Sequence, residues 1–135
     1  MGNRTVLPEG WRRPKGYSNA VVAQGRQIYV AGQVGWDSEE RFNSDDLAEQ
    51  ATQALRNVVA VLEAAGAGPE HIVRMTWYVT DKAAYIAGLK EIGEAYREII
   101  GRYFPAMTAV EVTALVEDRA KVEIECTAVV DEDSG

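Results

Sequence analysis

Few side chains in this sequence are suited to chemistry by type and spacing. His71 is the only histidine and Cys126 the only cysteine, with no metal-ligand spacing between them. A single histidine also leaves no acid–base pair of the kind ribonucleases use. Gly32 and Gly35 invite a phosphate-loop reading, but neither a Gly-rich fingerprint nor a following helix supports it. Carboxylates remain. Lys121, Glu123, Glu125 and Thr127 alternate along a β-prone segment, where paired charges are ordinarily just solvated. A glutamate there becomes a general base only if a dry cleft lifts its pKa toward neutrality. Cys126 falls on the apolar phase of the same segment and reads as a small buried hydrophobe. His71 reads as a surface turn residue, and Trp77 and Tyr96 as core.

Composition narrows the partners. Fourteen basic against twenty-one acidic residues give a net charge of −7, a field that opposes phosphate backbones. Arg12-Arg13-Pro14-Lys15 is the one basic run set against it, so no nucleic-acid partner is expected. The longest apolar run, Val58 to Leu62, is far below bilayer length, and the first residues lack a signal-like stretch, so no membrane partner is expected. With a lone cysteine, a reducing, cytoplasmic setting is the default expectation. No metal and no cofactor are called for.

A 47% hydrophobic, 26% charged chain of 135 residues suits one folded domain. The reading is a single domain over 1–130 and a short acidic tail at 131–135. Ala20 to Gln24 and Gln27 to Ala31 are expected to form a hairpin about Gly25-Arg26. Leu47, Ala51, Leu55, Val58 and Leu62 recur at helical spacing, predicting a helix over 45–65 that Asp45 and Asp46 cap and Gly66 closes. Residues 71–80 alternate as a central strand. Tyr85, Leu89, Ile92, Tyr96, Ile99 and Tyr103 predict a second helix over 82–103, ended by Pro105. Segments 108–115 and 121–130 read as a closing hairpin. The order ββαβαββ points to an α+β fold, a mixed sheet with two helices on one face. Ile72, Tyr78, Ala109 and Val129 suggest that the second face is partly apolar and used for association.

Several local signatures occur in a telling order. They include Gly16-Tyr17-Ser18-Asn19-Ala20, Val30-Ala31-Gly32-Gln33-Val34, Gln53-Ala54-Leu55-Arg56-Asn57-Val58, Phe104-Pro105-Ala106-Met107-Thr108 and Val122-Glu123-Ile124-Glu125-Cys126. Together they resemble the RidA (YjgF, L-PSP) family across nearly the whole chain. The resemblance implies a chorismate-mutase-like subunit in a homotrimer, its sheets forming an inner barrel and its ligand clefts lying between protomers. It also implies cofactor-free hydrolysis of 2-imino or enamine acids to keto acids and ammonia.

Carried over position by position, the resemblance makes Glu123 the residue that orients or activates water. Tyr17, Gln33, Trp36, Met107 and Thr108 become candidate substrate contacts. Met107 departs from the pattern. The family places a carboxylate-binding arginine there, and a thioether supplies neither charge nor a strong donor. Ala31 stands where a serine is common, and Leu89 or Lys90 where an asparagine is common, Lys90 being a possible substitute cation. Two readings follow: a hydrolase of reactive imines with a more apolar substrate preference, or a non-catalytic trimeric protein that binds a small metabolite.

Overall fold

The computed structural model describes residues 2–131; of the expected acidic tail, all but Asp131 lies outside the described residues. Two short strands, β1 (Arg4–Val6) and β2 (Ala20–Val22), pair antiparallel as a separate arm. The main sheet holds β3 (Arg26–Val34), β4 (Ile72–Val79), β5 (Ala106–Glu111) and β6 (Val122–Val130), in the order β3-β6-β4-β5. β6 runs antiparallel to both neighbours, whereas β4 and β5 are parallel. The helices are α1 (Leu47–Ala64), α2 (Lys82–Ala87) and α3 (Leu89–Ile99). The expected α+β class with a mixed sheet is what the chain adopts.

Strand alternation sends Met75, Trp77 and Val79 of β4, and Val122, Ile124 and Cys126 of β6, into the core shared with α1. From α1, Leu55, Val58 and Leu62 reach the same core with no exposed surface. Each such side chain contributes roughly 1.5–3 kcal/mol by leaving water. Asp46 caps α1 by accepting from the Glu49 N–H at 3.0 Å, and Gly66, at φ +82°, closes it in the left-handed conformation.

Three expectations need correction. Neither hairpin forms: β2 pairs with β1, and β3 pairs with β6 across the whole chain. Gly25, at φ +147°, packs so tightly on the Val130 carbonyl that a Cβ would collide with it. It thus passes the chain from the arm into the sheet instead of reversing it. At the other end, β5 pairs in parallel with β4, which requires the helical crossover between them, and β6 inserts on the far side of β4. The second helix is two helices broken at Gly88, where a Cβ would lie 3.4 Å from that of Ala48, so α1 approaches closely.

The third correction concerns the helix-free face, which keeps Tyr78 and Val129 but neither Ile72 nor Ala109. A bulge between Ile72 and Arg74 turns Ile72 into the core, and Ala109 pairs with Trp77 on the helix side. Arg74, Thr76, Glu123, Glu125 and Thr127 share the face with Tyr29, Tyr78, Val110 and Val129, so it is mixed, partly charged and partly apolar. Tyr78 donates to Glu125 at 2.7 Å, a bond that with nearby negative charge raises the phenol above its ordinary pKa.

Gln50 was not legible as structural. It is 1% exposed, and its amide donates to the Ser44 and Arg119 carbonyls at 2.9 and 3.0 Å. Its carbonyl accepts from the Lys121 N–H at 2.8 Å. One side chain thereby fastens two loops to α1. Gln50→Leu strands three backbone groups in a dry site and is expected to cost about 3 kcal/mol in urea unfolding. A loss below about 1 kcal/mol would show that those groups find other partners.

Candidate functional site

Tyr17 is held at the outer edge of β5. Gly16, at φ +79°, turns the chain, and the next residue, Ser18, bonds twice to the segment entering β5. Its N–H donates to the Pro105 carbonyl at 3.0 Å, and its hydroxyl donates to the Phe104 carbonyl. Tyr17 consequently lines the same cleft as Met107, a cavity of about 520 Å³ between α3 and β5. Trp77, Tyr85, Ile92, Tyr96 and Phe104 supply its aromatic and aliphatic walls, and Lys15 and Arg97 its only charges. Tyr96 stacks on Phe104 with centroids 6.1 Å apart and donates to the Tyr103 carbonyl at 2.6 Å. Trp77, 2% exposed, has an indole N–H with no acceptor among the described residues. Leu89 lines the cleft, whereas Lys90 does not.

Glu123 is elsewhere. It pairs with Tyr78 and Val34, so it projects from the helix-free face, while Met107 pairs with Met75 on the helix side. β4 stands between their strands, a separation of two strand spacings, roughly 10 Å. The Glu123 side chain lies back over β3, where its carboxylate takes the space that a side chain at Gly32 would need. It is half-buried, and it accepts no hydrogen bond and forms no ion pair among the described residues.

The other candidates scatter. Gln33 donates to the Ala31 carbonyl at 3.1 Å, beside the Glu123 end of β3. Trp36 packs on Phe42 at 5.7 Å in the following loop and does not line the Met107 cleft. Thr108 does not scatter: exposed on β5, it lines a shallow groove with Arg74 that Tyr17 and Met107 also line. The candidates thus fall into two groups: Tyr17, Met107 and Thr108 at β5, and Glu123 on β6 leaning over Gly32 of β3.

Asn57, in the Gln53–Val58 motif, holds the end of β3 beside Glu123, a role its sequence context does not reveal. Its amide donates to the Val34 and Trp36 carbonyls at 3.0 and 2.8 Å, and its own oxygen accepts from Gln53 at 2.8 Å. That fixes the end of β3 that carries Gly32.

Cys126 sits in the core, and burial pushes its thiol up to about 12 from an ordinary 9.0. The native state holds this proton more tightly than the unfolded chain. The thiol's contribution to stability is therefore full below pH 9 and is lost as pH rises toward 12. At pH 8 the native protein is expected to react with iodoacetamide at least a hundredfold more slowly than the unfolded chain. Equal rates would show that the thiol is accessible.

Among the described residues no helix is long and apolar enough to cross a membrane, and no three His, Cys, Asp or Glu side chains gather as a metal site. The family model for Endoribonuclease L-PSP matches residues 12–130. A human 2-iminobutanoate/2-iminopropanoate deaminase is 36% identical over 114 residues, covering 84% of this chain and 79% of the human protein. A RutC family protein of Pyrococcus abyssi is 32% identical over 95% of this chain and 98% of its own. Among solved structures, a Yersinia pestis protein of the conserved Rid family superimposes with a TM-score of 0.86 at 33% identity, over 96% of this chain and 100% of that one. A Mycobacterium tuberculosis member of the YjgF/YER057c/UK114 family gives 0.63 at 39% identity, over 86% and 88%.

Proposed function

Because this chain belongs to the endoribonuclease L-PSP family, also called RidA or YjgF, we propose that it hydrolyses reactive imines in a site completed between copies of the chain. The observation that carries the reading is the division of the site residues between the two sheet edges. Neither edge pairs with a further strand of the sheet: β3 is open beyond β6, and β5 is met on its outer side only by the Ser18 bridge at Ala106. Free edges ordinarily must be covered. Large side chains stand exposed at each, Tyr29 on β3 and Val110 on β5. Dissimilar edges that meet head to tail can close into a ring, and the family resemblance favours a ring of three copies. Each interface then combines Tyr17 and Met107 of one protomer with Glu123 and Gly32 of the next.

In such an interface the half-buried Glu123 carboxylate would gain dry surroundings from the neighbour. It would accept a proton from water as the oxygen bonds to the imine carbon, giving a carbinolamine. That proton passes to the imine nitrogen as the carbinolamine forms; transfer of the remaining hydroxyl proton to nitrogen through the same carboxylate then breaks the C–N bond, releases ammonia and leaves the carbonyl product. Tyr17 lines the substrate cleft, and no metal or cofactor is needed.

The test is ammonia release from imines generated by an amino-acid oxidase, measured with and without this protein. Acceleration is expected, and its absence across the panel would reject hydrolysis. Met107 also favours a second reading, a trimer that binds a small metabolite without turning it over, because the anchoring position holds no charge. Saturable binding without turnover, unchanged by Glu123→Gln, would select that reading. Under the first, Met107→Arg is expected to raise kcat/KM for 2-iminopropanoate by several tens-fold, since each charge-assisted bond contributes about 1.5–3 kcal/mol. An unchanged value would show that position 107 does not face the substrate carboxylate.

A further inference from the structure

We infer that the cleft beside Met107 selects 2-imino acids with an aromatic or similarly bulky apolar side chain, and that Arg97 and Lys15 at its rim replace the missing arginine as the carboxylate anchor. This rests on the hydrolase reading above and adds the substrate class. Trp77, Tyr85 and Met107 give the cavity of about 520 Å³ walls that a methyl or ethyl side chain would leave mostly unfilled.

Charge points the same way. The chain carries a net −7, yet no Asp or Glu lines this cleft, while two cations do. Neither Arg97 nor Lys15 forms an ion pair among the described residues. Gly93 is an unfavourable residue for the interior of α3, and the Arg97 guanidinium lies alongside its bare backbone, 3.6 Å from where a Cβ would stand. Both residues line the cleft. A guanidinium at the rim of an apolar cavity suits a ligand whose acid group remains outside while its side chain enters. In such a ligand the imine carbon is bonded to that acid, so it sits at the mouth, where a neighbouring copy would bring Glu123.

Calorimetric titration of the assembled protein with 3-phenylpropanoate, 3-phenylpropanamide and propanoate tests the assignment without turnover. The aromatic acid is expected to bind at least tenfold tighter than either other probe. The Lys15→Gln/Arg97→Gln double variant is expected to abolish the acid-over-amide difference while amide binding stays within twofold. Equal affinity for the two acids would overturn the inference. So would acid-over-amide discrimination that survives the double variant but is lost in Arg74→Gln, which would place the anion on the other sheet face. Hydrolysis of the imines of phenylalanine and alanine is measured separately. Equal efficiency on both overturns the substrate class and leaves the hydrolase, whereas selective binding with no hydrolysis of either overturns the hydrolase and leaves the cleft assignment.

Discussion

Glu123→Gln is expected to lower imine hydrolysis by roughly a hundredfold or more, the usual contribution of a positioned general base. The amide keeps the size and most of the hydrogen-bonding reach of the carboxylate, but it cannot take a proton from water. Substrate affinity is expected to stay within about threefold, because the side chains proposed to hold the substrate belong to the neighbouring copy. Stability is expected to change little, as Glu123 makes no hydrogen bond or ion pair among the described residues. A variant with native turnover would remove Glu123 from the chemistry.

Gly32→Val is expected to cost turnover on a similar scale, roughly tens- to a hundredfold, by a different route. The Glu123 carboxylate occupies the space beside Gly32, and a side chain there must displace it. What moves is the end of a flexible side chain, so the fold is expected to survive with little change in thermal midpoint. The two substitutions act on one group, so their effects are expected not to add. In a Glu123→Gln background, Gly32→Val should lower turnover by less than about threefold. Full additivity in that cycle would mean that Gly32 matters for some reason other than the place it leaves for Glu123.

Local periodicity made most elements readable and left their pairing obscure. Leu47, Ala51, Leu55, Val58 and Leu62 marked α1 because one buried stripe at helical spacing has a single explanation. The same logic overran Gly88, since a stripe that continues through a break looks the same in sequence as one that does not. β5 and β6 are each β-prone and joined by a charged loop, which is also how a hairpin looks. Their separation by β4 follows from long-range packing that alternation does not encode.

The chemistry was legible only through ordered motifs. Glu123, Tyr17 and Met107 were found that way, but motif order carries no information about which sheet face a residue takes. Arg97 could have been found from the helical stripe, standing four residues after Gly93 and one after Tyr96. Gln50 and Asn57 are not legible in the sequence, because polar residues on a helix read as solvent-facing until the loops they fasten are seen.

The central claim is that catalysis requires two copies, one for each half-site. Glu123→Gln disables one half, and Ala109→Trp, which fills the cleft beside Met107, disables the other. Each variant alone is expected to be inactive. Unfolded together and reassembled in equal amounts, they are expected to recover roughly a quarter of native activity, the statistical share of intact interfaces in a head-to-tail ring. Mixed assemblies that form but recover nothing would contradict a site shared between copies.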